Sequence, residues 1–255
     1  MGKNKLKKFA EMETFHNVFQ CGAREVVDDS PVTQMAGHWR DSYFHNENPI
    51  VLELGCGRGE YTVGLAQRDP NKNYIGIDIK GARMWAGAKQ AELACMKNVA
   101  FLRTNIEMLS SFFAANEVDE IWITFPDPQM KKATKRLTAT YFMQRYRQLL
   151  RPNGLVHLKT DSPFLYAYTQ AMVKENQYPL LVDTDDLYQA PASADIEEAR
   201  CLQTHYEKQW LDRGLTIKYL CWQLPENPLL VEPEIEIEKD TYRSYGRNYV
   251  SSTNN

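Results

Sequence analysis

The segment Glu53-Leu54-Gly55-Cys56-Gly57-Arg58-Gly59 stands between an apolar run and a helical one, the context in which a glycine-rich loop points to a ligand. Glycine permits a tight turn and lets a ligand approach the backbone closely. A dinucleotide site wants a third glycine where Glu60 stands, and a carboxylate at that helix start repels a pyrophosphate. S-adenosylmethionine carries no phosphate, and its sulfonium and ammonium are cations that Glu53 can offset directly or through water. Taken alone, the loop is equally well explained as a plain turn. Asp78 closes the next apolar run, where a carboxylate can accept both ribose hydroxyl protons. Asn105 follows the third run and suits an adenine edge, or else an N-cap for the next helix. Three such residues after three successive runs favour a cofactor site over coincidence.

The fourth run ends in Thr124-Phe125-Pro126-Asp127-Pro128. Each proline fixes its own φ and biases the preceding residue toward extended backbone, so Asp127 is held on a stiff arm. A basic stretch starts just beyond it. Lys131, Lys132, Lys135, Arg136, Arg145, Arg147 and Arg151 occur with no carboxylate among them, and Lys3, Lys5, Lys7 and Lys8 form a second cluster. Acidic residues gather elsewhere, at 183–198 and 226–240. With a net charge of -3 the chain is not a general coat for nucleic acid, so any such contact belongs to a local patch.

The elements that must position these residues alternate. Apolar runs at 50–54, 73–78, 99–103, 120–124 and 155–160 read as strands, with helices between them near 60–68, 81–96, 106–114 and 138–150. Repeated βα units give an α/β fold: a doubly wound, mostly parallel sheet, Rossmann-like, with ligands at the carboxyl ends of its strands. Arg151-Pro152-Asn153-Gly154 reads as a stop before the fifth strand. A helix near 163–175, a weaker strand near 179–183, a helix near 204–213 and a strand at 215–222 complete the pattern, with 184–203 read mainly as loop. We divide the chain into an N-terminal extension (1–49), a catalytic domain (50–222) and a C-terminal tail (223–255), whose outer ends are expected to be mobile. No apolar run approaches a bilayer span, Gly2 lacks the context of a lipidation signal, and the five scattered cysteines form no C-x-x-C pair. A cytoplasmic protein with reduced thiols, no resident metal, no membrane and no DNA partner is expected.

On these residues the chain resembles the bacterial tRNA (guanine-N7-)-methyltransferases, class I S-adenosylmethionine-dependent enzymes. The resemblance covers roughly 50–222 and rests on E-L-G-C-G-R-G, on F-P-D-P-x-x-K-K at 125–132, on L-K-T-D at 158–161 and on T-x-Y-E at 204–207. It implies that Glu53, Gly55, Gly57, Gly59, Asp78, Asn105 and Asp127 meet S-adenosylmethionine. It also implies that Lys131, Asp161, Thr204, His205, Tyr206 and Glu207 meet tRNA, at the variable-loop guanosine of position 46. The chain departs from that family at Gln129, where relatives usually carry tryptophan, and at Ala133 and Thr134, where their run is more basic.

Guanine N7 offers an in-plane lone pair, so methyl transfer needs alignment and a field that tolerates moving positive charge rather than a general base. Asp127 is the expected catalytic residue, with Asp161 and Glu207 as further carboxylates matching the guanine N1–H and N2–H donors. Thr204 and Tyr206 are placed to orient base or ribose, while Lys131, Lys132, Lys135 and Arg136 are expected on phosphates. Two other functions fit the residues less well: a methyltransferase for small molecules or proteins, against which the basic stretch argues, and a non-catalytic binding subunit, against which the full set of carboxylates argues.

Overall fold

A computed structural model describes residues 3–21 and 31–241. The strands are β1 (Val18–Gln20), β2 (Ile50–Leu54), β3 (Asn73–Ile77), β4 (Val99–Arg103), β5 (Val118–Thr124), β6 (Leu150–Thr160), β7 (Leu180–Thr184) and β8 (Lys218–Leu224). The helices are α1 (Lys3–Met12), α2 (Glu60–Arg68), α3 (Gly81–Leu93), α4 (Thr140–Tyr146), α5 (Pro163–Glu175), α6 (Ala194–Arg200) and α7 (His205–Leu211). They build a sheet in the order β1-β4-β3-β2-β5-β6-β8-β7, parallel except for the two pairs that β8 makes. This is the doubly wound, mostly parallel sheet expected from the βα alternation.

Every residue of β2 and β3 is buried because helices cover both faces, so these strands are continuous apolar runs without an alternating pattern. Alternation survives in which core each side chain joins. Leu52, Ile75, Leu102 and Ile121 face the layer holding Phe142 of α4 and Leu165 of α5. Val51, Tyr74, Phe101 and Trp122 face the layer of Tyr61 from α2 and Met84 from α3. The chain builds outward from β2 through β3 to β4, then returns to place β5 on the other side of β2. That reversal opens a crevice at the strands' carboxyl ends. Register makes the ends level, since Leu54 pairs with both Ile77 and Ile123, and Thr124 pairs with Lys159.

Several elements differ from the sequence expectation. The 106–114 segment forms only a 3₁₀ helix, Ile106–Ser111, and α4 ends at Tyr146 because Leu150 pairs with Val118 and starts β6. β6 passes through Pro152-Asn153-Gly154, and a register shift opposite Val118–Glu120, with Asn153 left-handed at φ 58, absorbs the expected stop. Within 184–203 the chain forms α6, capped by Ser193 accepting from the Ile196 amide at 3.3 Å. In the N-terminal extension β1 lengthens the sheet beside β4, α1 packs along α3, and Trp39 is buried with its indole N–H on the Phe112 carbonyl at 2.8 Å. The outermost residues expected to be mobile, 1–2 and 242–255, and Gly2 with them, lie outside the described residues. Among the described residues no helix is long and apolar enough to cross a membrane.

Candidate active site

The crevice holds a cleft of about 550 Å³ bordered by the ends of β2, β3, β5 and β6 and by α7. Glu53, one residue from the end of β2, is buried at its base. It accepts from the Thr62 amide at 2.8 Å, from the Thr62 hydroxyl and from the Thr124 hydroxyl at 2.7 Å. Burial pushes its carboxyl up to about 7, against the pull of those donors, and the charge of nearby Asp78 adds to the rise. A cation in the cleft would favour the ionised form.

Asp78 follows β3 and ties the glycine loop to it, accepting from the Gly57 amide at 3.0 Å and the Lys80 amide at 2.7 Å. A carboxylate has about four lone-pair positions, so it can hold the loop and still receive ribose hydroxyls. Gly55 is left-handed at φ 78, and a side chain there would meet no atom within 4 Å, which leaves a bare backbone wall for a ligand. Gly59 works differently. It precedes α2 at φ 72, and a Cβ would sit 2.6 Å from the Phe101 ring, so its bareness serves packing rather than the cleft. The open loop and the two carboxylates are a donor set that fits the cations and ribose of S-adenosylmethionine. Asn105 does not border the cleft: its carbonyl accepts from the Glu107 amide at 3.3 Å, the N-cap that its sequence position also allowed.

Across the cleft, the arm after β5 carries Asp127 exposed on the rim. The arm is tied to β6 by the Phe125 amide on the Lys159 carbonyl at 2.8 Å, and within it the Gln129 amide donates to Asp127 Oδ1 at 3.1 Å. Phe125 and Gln129 both take φ 48, an unfavourable conformation for non-glycine residues that the surrounding contacts must enforce. Arg136, expected on a phosphate, is instead buried. Its guanidinium lies 4.8 and 4.3 Å from the Phe164 and Tyr168 rings, and Nε donates to the Gln129 carbonyl at 3.2 Å. Packing from below, it clamps the arm. Lys135 borders the cleft but pairs with Glu107 at 2.8 Å, while Lys131 and Lys132 stand exposed beside the arm.

Asp161, next to the end of β6, is buried in the cleft wall. Thr204 and Tyr206 border the same cleft, Tyr206 with 46% of its surface exposed, and Trp210 stands one helical turn further along α7. His205 is exposed and its amide donates to Glu60 at 2.8 Å, joining α7 to the start of α2. Glu207 lies inside the protein, away from the cleft. It exchanges hydrogen bonds with Thr204 in a capping box, accepts from the Tyr188 hydroxyl at 2.7 Å and pairs with Lys159 at 2.8 Å, both members of that pair being fully buried. Burial pulls the Lys159 ammonium below its usual range, opposed by Glu207. The capping box was present in the sequence as T-x-x-E. Lys80, Arg83 and Trp210 also border the cleft, and nothing in their sequence spacing singles them out.

The profile of a family described as putative methyltransferases matches residues 47–220. Among curated relatives, the tRNA (guanine-N(7)-)-methyltransferase of Bacteroides thetaiotaomicron is 57% identical, over 97% of this chain and 96% of its own. That of Porphyromonas gingivalis is 57% identical over 93% and 97%, and that of Clostridium acetobutylicum 32% over 79% and 96%. Among solved structures, the 16S rRNA methyltransferase KamB superposes with a TM-score of 0.55 at 15% identity, covering 72% of this chain and 92% of that one. The 16S rRNA (adenine(1408)-N(1))-methyltransferase from Catenulisporales acidiphilia gives 0.51 at 14%, covering 78% and 95%. These two likenesses establish the fold.

Proposed function

The chain belongs to the tRNA (guanine-N(7)-)-methyltransferase family, and from that premise we propose that its strand-end cleft holds S-adenosylmethionine against a guanine whose N7 it methylates. The variable-loop guanosine at position 46 is the target we propose. The observation that carries the reading is the gathering of Glu53, Asp78, Asp127 and Asp161 around one cleft at the sheet's switch point. A cytoplasmic setting, where tRNA is met, accords with it.

When bound, the cofactor supplies a methyl group on a positively charged sulfur. Glu53 and Asp78 would hold it, the first by charge and the second through the ribose. Asp127 and Asp161 accept from the guanine N1–H and N2–H edge, which turns N7 toward the methyl group. No proton leaves N7, so no residue acts as a base. The carboxylates stabilise positive charge as it passes onto the purine, and their preorganisation avoids reorienting dipoles during the reaction. Tyr206 bounds the base from α7, and Lys131 and Lys132 meet phosphates. Glu207 acts through the cap it makes for α7.

The decisive experiment is mass-spectrometric nucleoside analysis of tRNA incubated with the protein and S-adenosylmethionine, followed by mapping of the modified position. N7-methylguanosine at position 46 is expected. Its absence from tRNA, or its appearance only at another position, would overturn the activity or the site respectively.

A further inference from the structure

Beyond β8 the chain forms no helix or strand through 225–241, yet it is fastened along α4 and α5. The Tyr178 hydroxyl donates to the Leu229 carbonyl, and the Asn176 side chain brackets Val231, donating to its carbonyl at 2.8 Å and accepting from its amide at 2.7 Å. Glu232 accepts from the Thr140 hydroxyl at 2.6 Å and from the Tyr168 hydroxyl. Leu230 and Ile237 pack on the core beneath. At its far end this strap buries a carboxylate, Asp240, which accepts from the Phe164 amide at 3.0 Å and from the Ser162 hydroxyl.

Ser162 is the residue after Asp161. Its hydroxyl also caps α5 by accepting from the Leu165 amide at 3.0 Å, and its amide donates to the Thr160 hydroxyl at 3.1 Å. Asp240 therefore satisfies the first turn of α5, where a negative charge is favoured, and holds the side chain of the residue that follows Asp161. Burial pulls the ammonium of Lys218, at the start of β8, below its usual range, opposed by the charges of Asp161, Asp185, Asp186 and Asp240. A buried carboxylate is costly unless its partners are in place, and these partners are the ones next to the cleft wall.

We propose that Asp240 is a positioning residue of the active site: the strap delivers its carboxylate to Ser162 and the α5 start, and this sets the direction in which Asp161 meets the guanine edge. The proposal rests on the assignment of Asp161 to the guanine. Small misplacements of a contacting group are expensive in rate even when the substrate still binds.

The test is single-turnover N7 methylation at saturating cofactor and tRNA, per folded molecule, in the full-length chain. Asp240→Ala is expected to slow the step by about 10-fold with cofactor and tRNA affinities unchanged. Asp240→Asn should restore most of the rate, since its amide oxygen still accepts from Phe164 and its amide nitrogen can donate to Ser162. In an Asp161→Asn background, Asp240→Ala should add no further loss. If it slows that background by the same factor as wild type, or leaves the wild-type rate intact in a folded protein, Asp240 serves stability alone and the proposal falls. A wild-type rate for Asp161→Asn would instead remove Asp161 from the site, and the proposal with it. Should Asp240→Ala not fold, Ser162→Ala takes its place, with the same loss expected in wild type and none in the Asp161→Asn background.

Discussion

Glu53 and Asp127 illustrate two ways of using a carboxylate. Glu53 is buried, with its carboxyl raised from 4.5 to about 7, so the folded protein holds this proton more tightly than the unfolded chain does. Its contribution to stability therefore falls as pH rises between 4.5 and about 7. Cofactor binding has the opposite sign, because a sulfonium favours the ionised carboxylate. Calorimetric titration across pH should show S-adenosylmethionine affinity rising through about 7, and Glu53→Gln should flatten that rise. A profile unchanged by the substitution would remove Glu53 as its source. Asp127 is exposed on the cleft rim and accepts from the Gln129 amide, and the proposed function assigns it to the substrate. Asp127→Asn keeps the size and removes the charge, and should lower the single-turnover rate by about 10²-fold with the circular dichroism unchanged. At this scale the sequence was most legible where a residue follows a strand directly: Glu53, Asp78, Asp127 and Asp161 border the cleft as their positions suggested. Arg136 was not legible as it stands, because a charged side chain reads as ligand-facing until its ring partners are known, whereas the N-cap of Asn105 was one of the two readings its position offered.

At the scale of elements, α7 matters beyond its length because Tyr206 and Trp210 border the cleft from it. A seven-residue helix is too short to be stable by itself. What holds it is Glu207, which closes the cap and neutralises Lys159 on β6, whose ammonium also donates to the Ala199 and Leu202 carbonyls at 2.7 and 2.9 Å. Removing one member of a fully buried pair leaves the other charge stranded. Glu207→Ala should therefore cost about 3–5 kcal/mol in chemical denaturation, and Glu207→Gln, which keeps a cap acceptor, somewhat less. A loss of less than about 1 kcal/mol for Glu207→Ala would mean that the pair is solvated or replaced. The strands of the central sheet were legible because both faces are covered and the runs are continuous. The start of β6 was not, since Leu150 joins it by tertiary pairing with Val118 across a proline and a glycine that locally argue for a turn. The seven residues of α6 escaped for a related reason, burying only Ile196 and Ala199 and so showing little periodicity.

On the scale of the whole molecule, charge rather than shape decides how a polyanion is met. With a net charge of -3 and exposed acids at Glu234, Glu236 and Glu238 on the strap, tRNA has to approach through a restricted region. Most of the basic stretch is already engaged within the protein: Arg136 in its aromatic clamp, Arg145 over the Tyr141 ring at 3.6 Å, Arg151 with Asp119 at 3.3 Å and Lys135 with Glu107. Lys131 and Lys132, exposed next to Asp127, are the members best placed to neutralise phosphates, so the electrostatic component of binding should be concentrated there. Each phosphate contact contributes a little under one unit to the slope of log affinity against log salt. Replacing both lysines by glutamate should weaken tRNA binding at moderate salt and reduce that slope by about 1–2 units. Cofactor affinity should not change, because neither side chain borders the cleft. Filter binding across a salt series, with cofactor calorimetry on the same preparations, measures both quantities. An unaltered slope would place the phosphates on another surface and reduce these lysines to a solvated rim.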